Sequence, residues 1–335
     1  MSILGRIVAA AAGLLAVIVG LIAALLGGSA IATSLISARI ESRYPPQDRF
    51  VEVEGGRLSV IDAGSREVRG TVVLLHGASA SGSDPFEGFG RQLSGAGFRV
   101  LAFDRPGFGW SDRLAGAEAA TPAFQAKVIA EALERLGVGS AIVFGHSWSG
   151  SLALRLALDR PDLVSGLVLG APVALPFPER SLPWWARLAI EPVVTRLLVD
   201  TIAVPLGLYY LPATAGNVFR PEQPADDYVA RSRAPLILRP GPALANIQDL
   251  VALPAALREQ APRYAELRVP TTVVAGEADP IVHTDVQAEP LARAISGAKL
   301  VLLPGVGHML HYTAADRLIS EIEAMHARLS EPASR

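Results

Sequence analysis

The chain of 335 residues has no cysteine. That absence excludes disulfides, thiolate metal sites and a cysteine nucleophile, and it leaves the redox compartment open. Excess charge is also missing. Thirty lysines and arginines face 32 aspartates and glutamates, for a formal net charge of −2. No cationic surplus points to nucleic acid, and none is expected as a partner. No internal repeat is visible. Histidine is scarce, at six residues, so each candidate base can be weighed individually. Half the residues are apolar, and the length suffices to bury a sizeable core.

Charge is absent altogether from one long stretch near the start. "IVAAAAGLLAVIVGLIAALL" (Ile7–Leu26) carries none, and the first charged residue after Arg6 is Arg39. As a helix this run spans roughly 30 Å, the thickness of a bilayer's hydrocarbon core. Residues 1–38 therefore read as a single-pass membrane anchor. The alternative is a signal peptide cleaved after "AIA" (Ala30–Ala32), giving a secreted protein, although signal h-regions are shorter, about 7–15 residues. Basic residues flank both ends, so the side of the membrane is undetermined. "RYPPQDRF" (Arg43–Phe50) carries paired prolines and reads as part of a stiff linker over residues 39–49.

The rest alternates short apolar runs with helical patterns. "FVEVEGGRLSVIDAG" (Phe50–Gly64) reads as a hairpin. "TVVLLHG" (Thr71–Gly77), "FRVLAFD" (Phe98–Asp104), "SAIVFGH" (Ser140–His146), "LVSGLVLGAP" (Leu163–Pro172), "TTVVAGEADP" (Thr271–Pro280) and "KLVLLPGVGH" (Lys299–His308) read as buried strands. Helices are expected near Phe86–Ala96, over Thr121–Leu136 behind a Thr-Pro start, and over Ser147–Asp159. This rhythm implies an α/β fold with a mostly parallel sheet covered on both faces. It lapses between residues 172 and 267, a proline-rich stretch taken as an inserted helical cap. The core is then residues 50–171 and 268–335.

At "GHSWSG" (Gly145–Gly150) a strand meets a helix with a serine between them. This is nearly the G-x-S-x-G elbow, which lifts a serine above a sheet edge beside the free N–H groups of a helix. Ser149 stands where the pattern has glycine. A surface serine at an ordinary helix N-cap would look similar.

With these motifs the chain resembles the α/β-hydrolase family from about Phe50 to its last helix. The resemblance implies an α/β-hydrolase fold with a cap, and a serine nucleophile at Ser147. "LLHGAS" (Leu74–Ser79) is similar to the family's oxyanion loop, which implies the N–H groups of Ala78 and Trp148 as oxyanion donors. "DRPGFGWSD" (Asp104–Asp112) resembles the glycine loop after the next strand. His308, in a loop with Gly305 and Gly307, stands where the family places its base, and Asp279 in "GEADPIV" where it places the orienting acid. Glu277 is a rival acid in that loop, and an aspartate before proline is also a common turn residue. The order Ser147, Asp279, His308 is the order used in this fold. Of the other histidines, His76 lies in the oxyanion loop and His146 beside the serine. His326 lies on the last helix, at its surface, and His283 and His311 have no evident role.

The expected activity is ester hydrolysis through an acyl-enzyme, with an apolar small-molecule acyl substrate of undetermined chain length and with no metal or organic cofactor implied. Trp148 after the nucleophile is shared with epoxide hydrolases and haloalkane dehalogenases. Those use aspartate at the elbow, so Ser147 argues against both. Cofactor-free haloperoxidases, carbon–carbon bond hydrolases and acyltransferases with the same triad stay open, as does a non-catalytic binding module of this fold. The aromatics Trp184, Trp185, Tyr209 and Tyr210 are expected in the cap, as its packing, its pocket or a membrane-facing surface.

Overall fold

The structure is a computed structural model that describes residues 2–47, 49–64, 69–177 and 184–331, with residues 185 and 186 described only by their backbone. The candidate Trp185 side chain thus lies outside the described residues. Eight strands form one sheet: β1 (Arg49–Val53), β2 (Gly56–Ala63), β3 (Thr71–Leu75), β4 (Arg99–Phe103), β5 (Ala141–His146), β6 (Val164–Gly170), β7 (Thr271–Gly276) and β8 (Lys299–Leu303). Their order is β1-β2-β4-β3-β5-β6-β7-β8. β1 pairs antiparallel with β2, and β2 with β4; every later pair is parallel.

Parallel strands joined by crossovers have helices on both sides, so their residues face apolar surroundings alternately above and below. Val73 and Leu75 of β3 enter one core, and Val72 and Leu74 the other. Helices α2 (Pro122–Arg135) and α3 (Ser149–Asp159) cover the first face. Phe86, Phe89 and Leu93 cover the second, together with Leu318, Ile322 and Met325 of the C-terminal helix.

Between β6 and β7 the chain leaves the sheet and makes the cap: α4 (Trp184–Ala189), α5 (Pro192–Thr201), α6 (Ala203–Val218) and α7 (Pro240–Gln260). The cap merges with the core at its end. Leu253, Leu257, Tyr264 and Leu267 all pack in the first core.

The N-terminal helix α1 runs from Ile3 to Arg43 without a break. The first residues of the expected linker are therefore helical, and only Tyr44 to Gln47 connect it towards β1 among the described residues. No proline stands before Pro45, and Arg39, Glu41 and Arg43 are good helix formers. The helix at the elbow begins at Ser149 rather than Ser147, because Ser147 itself takes a left-handed backbone.

Candidate active site

β5 ends at His146, and the next residue turns sharply. Ser147 has φ of +52°, a conformation costing a non-glycine residue of order 1–3 kcal/mol. The surroundings hold it there. Ser147 N–H donates to Gly170 O (3.0 Å), and Ser147 O accepts from Gly150 N (2.8 Å) and Val173 N (2.9 Å). Glycine is required on both sides of the turn. A Cβ on Gly145 would sit 2.4 Å from Ser149 O, and one on Gly150 would sit 2.5 Å from Pro172 Cβ. Ser149 is buried, and its hydroxyl donates to His76 O. The motif glycine is thus shifted by one residue, and the serine in its place ties the elbow to the oxyanion loop.

Asp279 leaves β7 in a tight turn. Its Oδ1 accepts from Ile281 N (2.8 Å) and Val282 N (2.9 Å), and its Oδ2 lies 2.8 Å from His308 Nδ1. A carboxylate can only accept here, so Nδ1 carries the proton and Nε2 is left as the basic nitrogen. Glu277, the rival acid, is exposed and makes no contact with this ring among the described bonds. The His308 loop is clamped from the cap, where Gly307 N donates to Glu222 Oε2 (3.0 Å) and a Cβ on Gly307 would meet Arg220 O at 2.1 Å.

Ser147, His308 and Ala78 line one cavity of about 480 Å³ beneath the cap. Its walls include Leu211 and Val218 of α6, Ile237, Ile247, Ile281 and Met309. Among the described residues, neither arginine nor lysine lines it, and Asp84 is its only carboxylate. The Trp148 indole does not line it. It is buried against the Arg105 guanidinium, 4.0 Å from the ring centroid, with Nε1 near Asp249 O. Trp148 is the N-cap residue of α3, and its side chain is used in packing rather than in the cavity wall.

The oxyanion loop is held by groups that sequence reading did not single out. Arg105, fully buried, donates from Nε to His76 O (3.2 Å) and from Nη2 to Gly77 O (3.2 Å). Its charge is met by Asp249 of α7 at 2.6 Å, and Arg113 reaches the other oxygen of Asp249 at 2.8 Å. Burial pulls the Arg105 guanidinium down to about 10, with Asp249 opposing. Asn246, also on α7, accepts from Ser79 N (2.8 Å) and donates to Ser79 Oγ (3.0 Å). "DRPGFG" carried the only sequence signal for Arg105; nothing marked Asp249 or Asn246.

Four of the five other histidines are buried or half-buried, and His283 is exposed. His76 Nε2 accepts from Arg105 N (3.0 Å), so Nδ1 carries the proton towards Gly77 O. Burial, then the Arg105 charge, holds its pKa well below the ordinary 6.5. His146 donates from Nε2 to His308 O (3.0 Å), and burial, then His311 and His308, lower its pKa likewise. A neutral His146 leaves a His308 imidazolium without a like-charged neighbour. His311 is a correction to the reading above. It is fully buried, bonds Asp84 Oδ2 through Nε2 (2.8 Å) and packs against His146, with ring centroids 4.3 Å apart. His326 is half-buried, edge-on to Phe98 at 5.4 Å, rather than free on the surface. Asp84, His146 and His311 present ligand-capable atoms within 4.8 Å of one another. One of those contacts, Asp84–His311, is a hydrogen bond; His146 spends its Nε2 on His308 O, and the Nδ1 atoms of His146 and His311 are buried without a hydrogen-bond partner.

The family model described as "alpha/beta hydrolase fold" matches residues 70–315. A 2-hydroxy-6-oxononadienedioate/2-hydroxy-6-oxononatrienedioate hydrolase from Klebsiella pneumoniae subsp. pneumoniae is 27% identical over 298 residues, covering 82% of this chain and 95% of its own. Among solved structures, an esterase from Exiguobacterium antarcticum aligns with a TM-score of 0.65 at 23% identity, over 84% of this chain and all of its own. A bromoperoxidase from Bacillus anthracis aligns with a TM-score of 0.67 at 18% identity, over 83% of this chain and 99% of its own. At these identities the two structures speak for the fold alone. From the match over residues 70–315, in agreement with the strand order and the serine elbow, the chain belongs to the alpha/beta hydrolase fold family.

Proposed function

We propose that the protein is a membrane-anchored serine hydrolase that cleaves an uncharged, apolar carboxylic ester. Ser147 attacks the acyl carbonyl while His308 Nε2 takes its proton. Asp279 fixes the ring and stabilises the imidazolium. The N–H groups of Ala78 and Trp148 receive the oxyanion, a contribution of about 10²–10³ in kcat per donor in such sites. His308 then protonates the leaving alcohol, and water repeats the sequence on the acyl-enzyme.

The observation that carries this reading is the Asp279–His308 bond of 2.8 Å on the wall of a cavity that also holds the strained Ser147. The lining narrows the substrate. The Klebsiella relative is named for a dioate, whose two carboxylates need cationic partners when buried. Here no arginine or lysine lines the cavity among the described residues, which favours an uncharged acyl chain over carbon–carbon cleavage of a dioate.

The anchor reading rests on α1. Its first part, Ile3 to Leu25, is exposed around almost its whole circumference and as a helix is about 34 Å long. Its later part docks on the cap, where Ser29 and Thr33 both donate to Thr201 O (2.8 and 2.7 Å). Ala30–Ala32 are helical within that docked part, which argues against a cleavage site there.

The test is hydrolysis of p-nitrophenyl esters of rising chain length by the full chain in detergent, beside Ser147→Ala. The expected result is turnover of uncharged esters that the variant loses without unfolding. Unchanged hydrolysis in the variant, or turnover confined to dioates, would contradict the proposal.

A further inference from the structure

Buried positions in the second half of α1 recur at helical spacing. Leu26, Ser29, Ala30, Ala32, Thr33, Ile36, Ser37 and Ile40 are buried or half-buried, and the other positions from Leu26 to Ile40 are exposed. That stripe lies against α5 and α6. The two hydroxyl bonds to Thr201 O fall at the bend where α5 gives way to α6, an angle of 74°. A bend frees carbonyls that a continuous helix would satisfy, and α1 supplies the donors. Because α1 is continuous, its free part leads directly into the part that docks on the bend.

The outer side of this bend is unusual for a surface in water. From Thr201 to Phe219 the sequence has no charged residue. Val193 is 82% exposed, Leu206 51% and Tyr209 77%, and Trp184 of α4 is 77% exposed. Outside α1, most of the large exposed apolar side chains among the described residues lie between Phe177 and Tyr210. Scattered exposed apolar residues need no explanation, but their concentration in one segment does. Arg196 and Asp200, the charged pair of α5, bond to each other on the helix surface. Tyrosine and tryptophan at such a patch suit the membrane–water interface.

The inner side of α6 forms a wall of the cavity, through Gly207, Leu211 and Val218. Tyr210 both lines the cavity and is 53% exposed, so it stands where the cavity meets the outside. Resting on the anchor and hydrolase readings above, we propose that the α5–α6 bend is embedded in the lipid headgroup region from which α1 emerges, and that substrate enters past Tyr210 directly from the bilayer. The occupant of the apolar patch is then the membrane that holds α1, and the substrate class is an ester that partitions into lipid.

The lack of native cysteine makes each introduced cysteine a unique label site. Nitroxides at Leu15→Cys, Val193→Cys, Leu206→Cys and Lys127→Cys, in the full chain reconstituted into phosphatidylcholine vesicles, report depth by oxygen against nickel-chelate accessibility. The expected pattern is Leu15 deep, Val193 and Leu206 shallow but shielded from nickel, and Lys127 in water. Leu15 deep with Val193 and Leu206 in water overturns this inference and leaves the anchor standing. Leu15 in water overturns both. For substrate entry, Val193→Glu/Leu206→Glu should slow hydrolysis of p-nitrophenyl palmitate held in vesicles about tenfold, with hydrolysis of dissolved p-nitrophenyl butyrate unchanged. The same effect of the two substitutions on both esters, or none on either, would overturn entry from the bilayer. Wild-type protein that cleaves neither ester would refute the hydrolase reading, and with it entry, while the labels still decide the docking.

Discussion

Ser149 stands where the elbow pattern has glycine, and its hydroxyl bonds the carbonyl of His76. Restoring the pattern with Ser149→Gly should therefore destabilise the protein, by about 1–2 kcal/mol from the lost bond and the added backbone freedom. Thermal or urea unfolding measures it, and a more stable variant would contradict the bond's role. Gly150→Ala should cost more, because its Cβ meets Pro172 in a backbone that cannot retreat. The two carboxylates of the β7 turn part in the same way. Asp279→Asn should lower kcat about 10⁴-fold by favouring the wrong ring tautomer, and Glu277→Gln should change it little, since Glu277 is exposed. The sequence carried the residue types and chain order of Ser147, Asp279 and His308, because strand ends and glycine loops are local signals. It could not say why a serine at position 149 is tolerated, since His76 lies 73 residues away.

At the scale of elements, the cap and the oxyanion loop form one mechanical unit. α7 brings Asp249 to Arg105 and Arg113, and Arg105 holds the carbonyls of His76 and Gly77. Removing one partner of a buried ion pair leaves an uncompensated charge, at a cost of about 3–5 kcal/mol. Asp249→Ala should thus lower the unfolding midpoint strongly and weaken turnover in whatever remains folded. A loss of stability within 1 kcal/mol, about the worth of an exposed pair, would show that the pair is not a structural tie. Six core strands were legible as apolar runs. The cap was legible as a break in rhythm and as an inserted helical segment, but the bounds of its helices were not, because their apolar residues are divided between packing, cavity and surface. His311 was missed for a similar reason: its partner Asp84 is 227 residues distant, and nothing local distinguishes a buried histidine from an exposed one.

At the scale of the whole molecule, acid should unfold the protein earlier than its net charge suggests. His76 and His146 are held neutral, with pKa values well below 6.5. As pH falls below 6.5, the unfolded chain binds protons at these rings that the folded chain does not. Stability present above that value is then lost, by up to about 1.4 kcal/mol per pH unit for each ring. Urea midpoints from pH 7.5 to 5.5 should show the decline, and a flat profile would contradict the buried-neutral assignment. α1 divides likewise into two parts with different consequences. Deleting residues 2–24 should leave a folded, soluble domain, whereas deleting through residue 43 uncovers the cap and should cause aggregation.

The account as a whole turns on Ser147 being an activated nucleophile. Reaction of the full chain with a fluorophosphonate, followed by peptide mass spectrometry, tests that directly. The predicted result is one adduct, on the peptide containing Ser147, lost in Ser147→Ala and strongly slowed in His308→Ala. A folded protein that takes no label, or takes it at another serine, would contradict it.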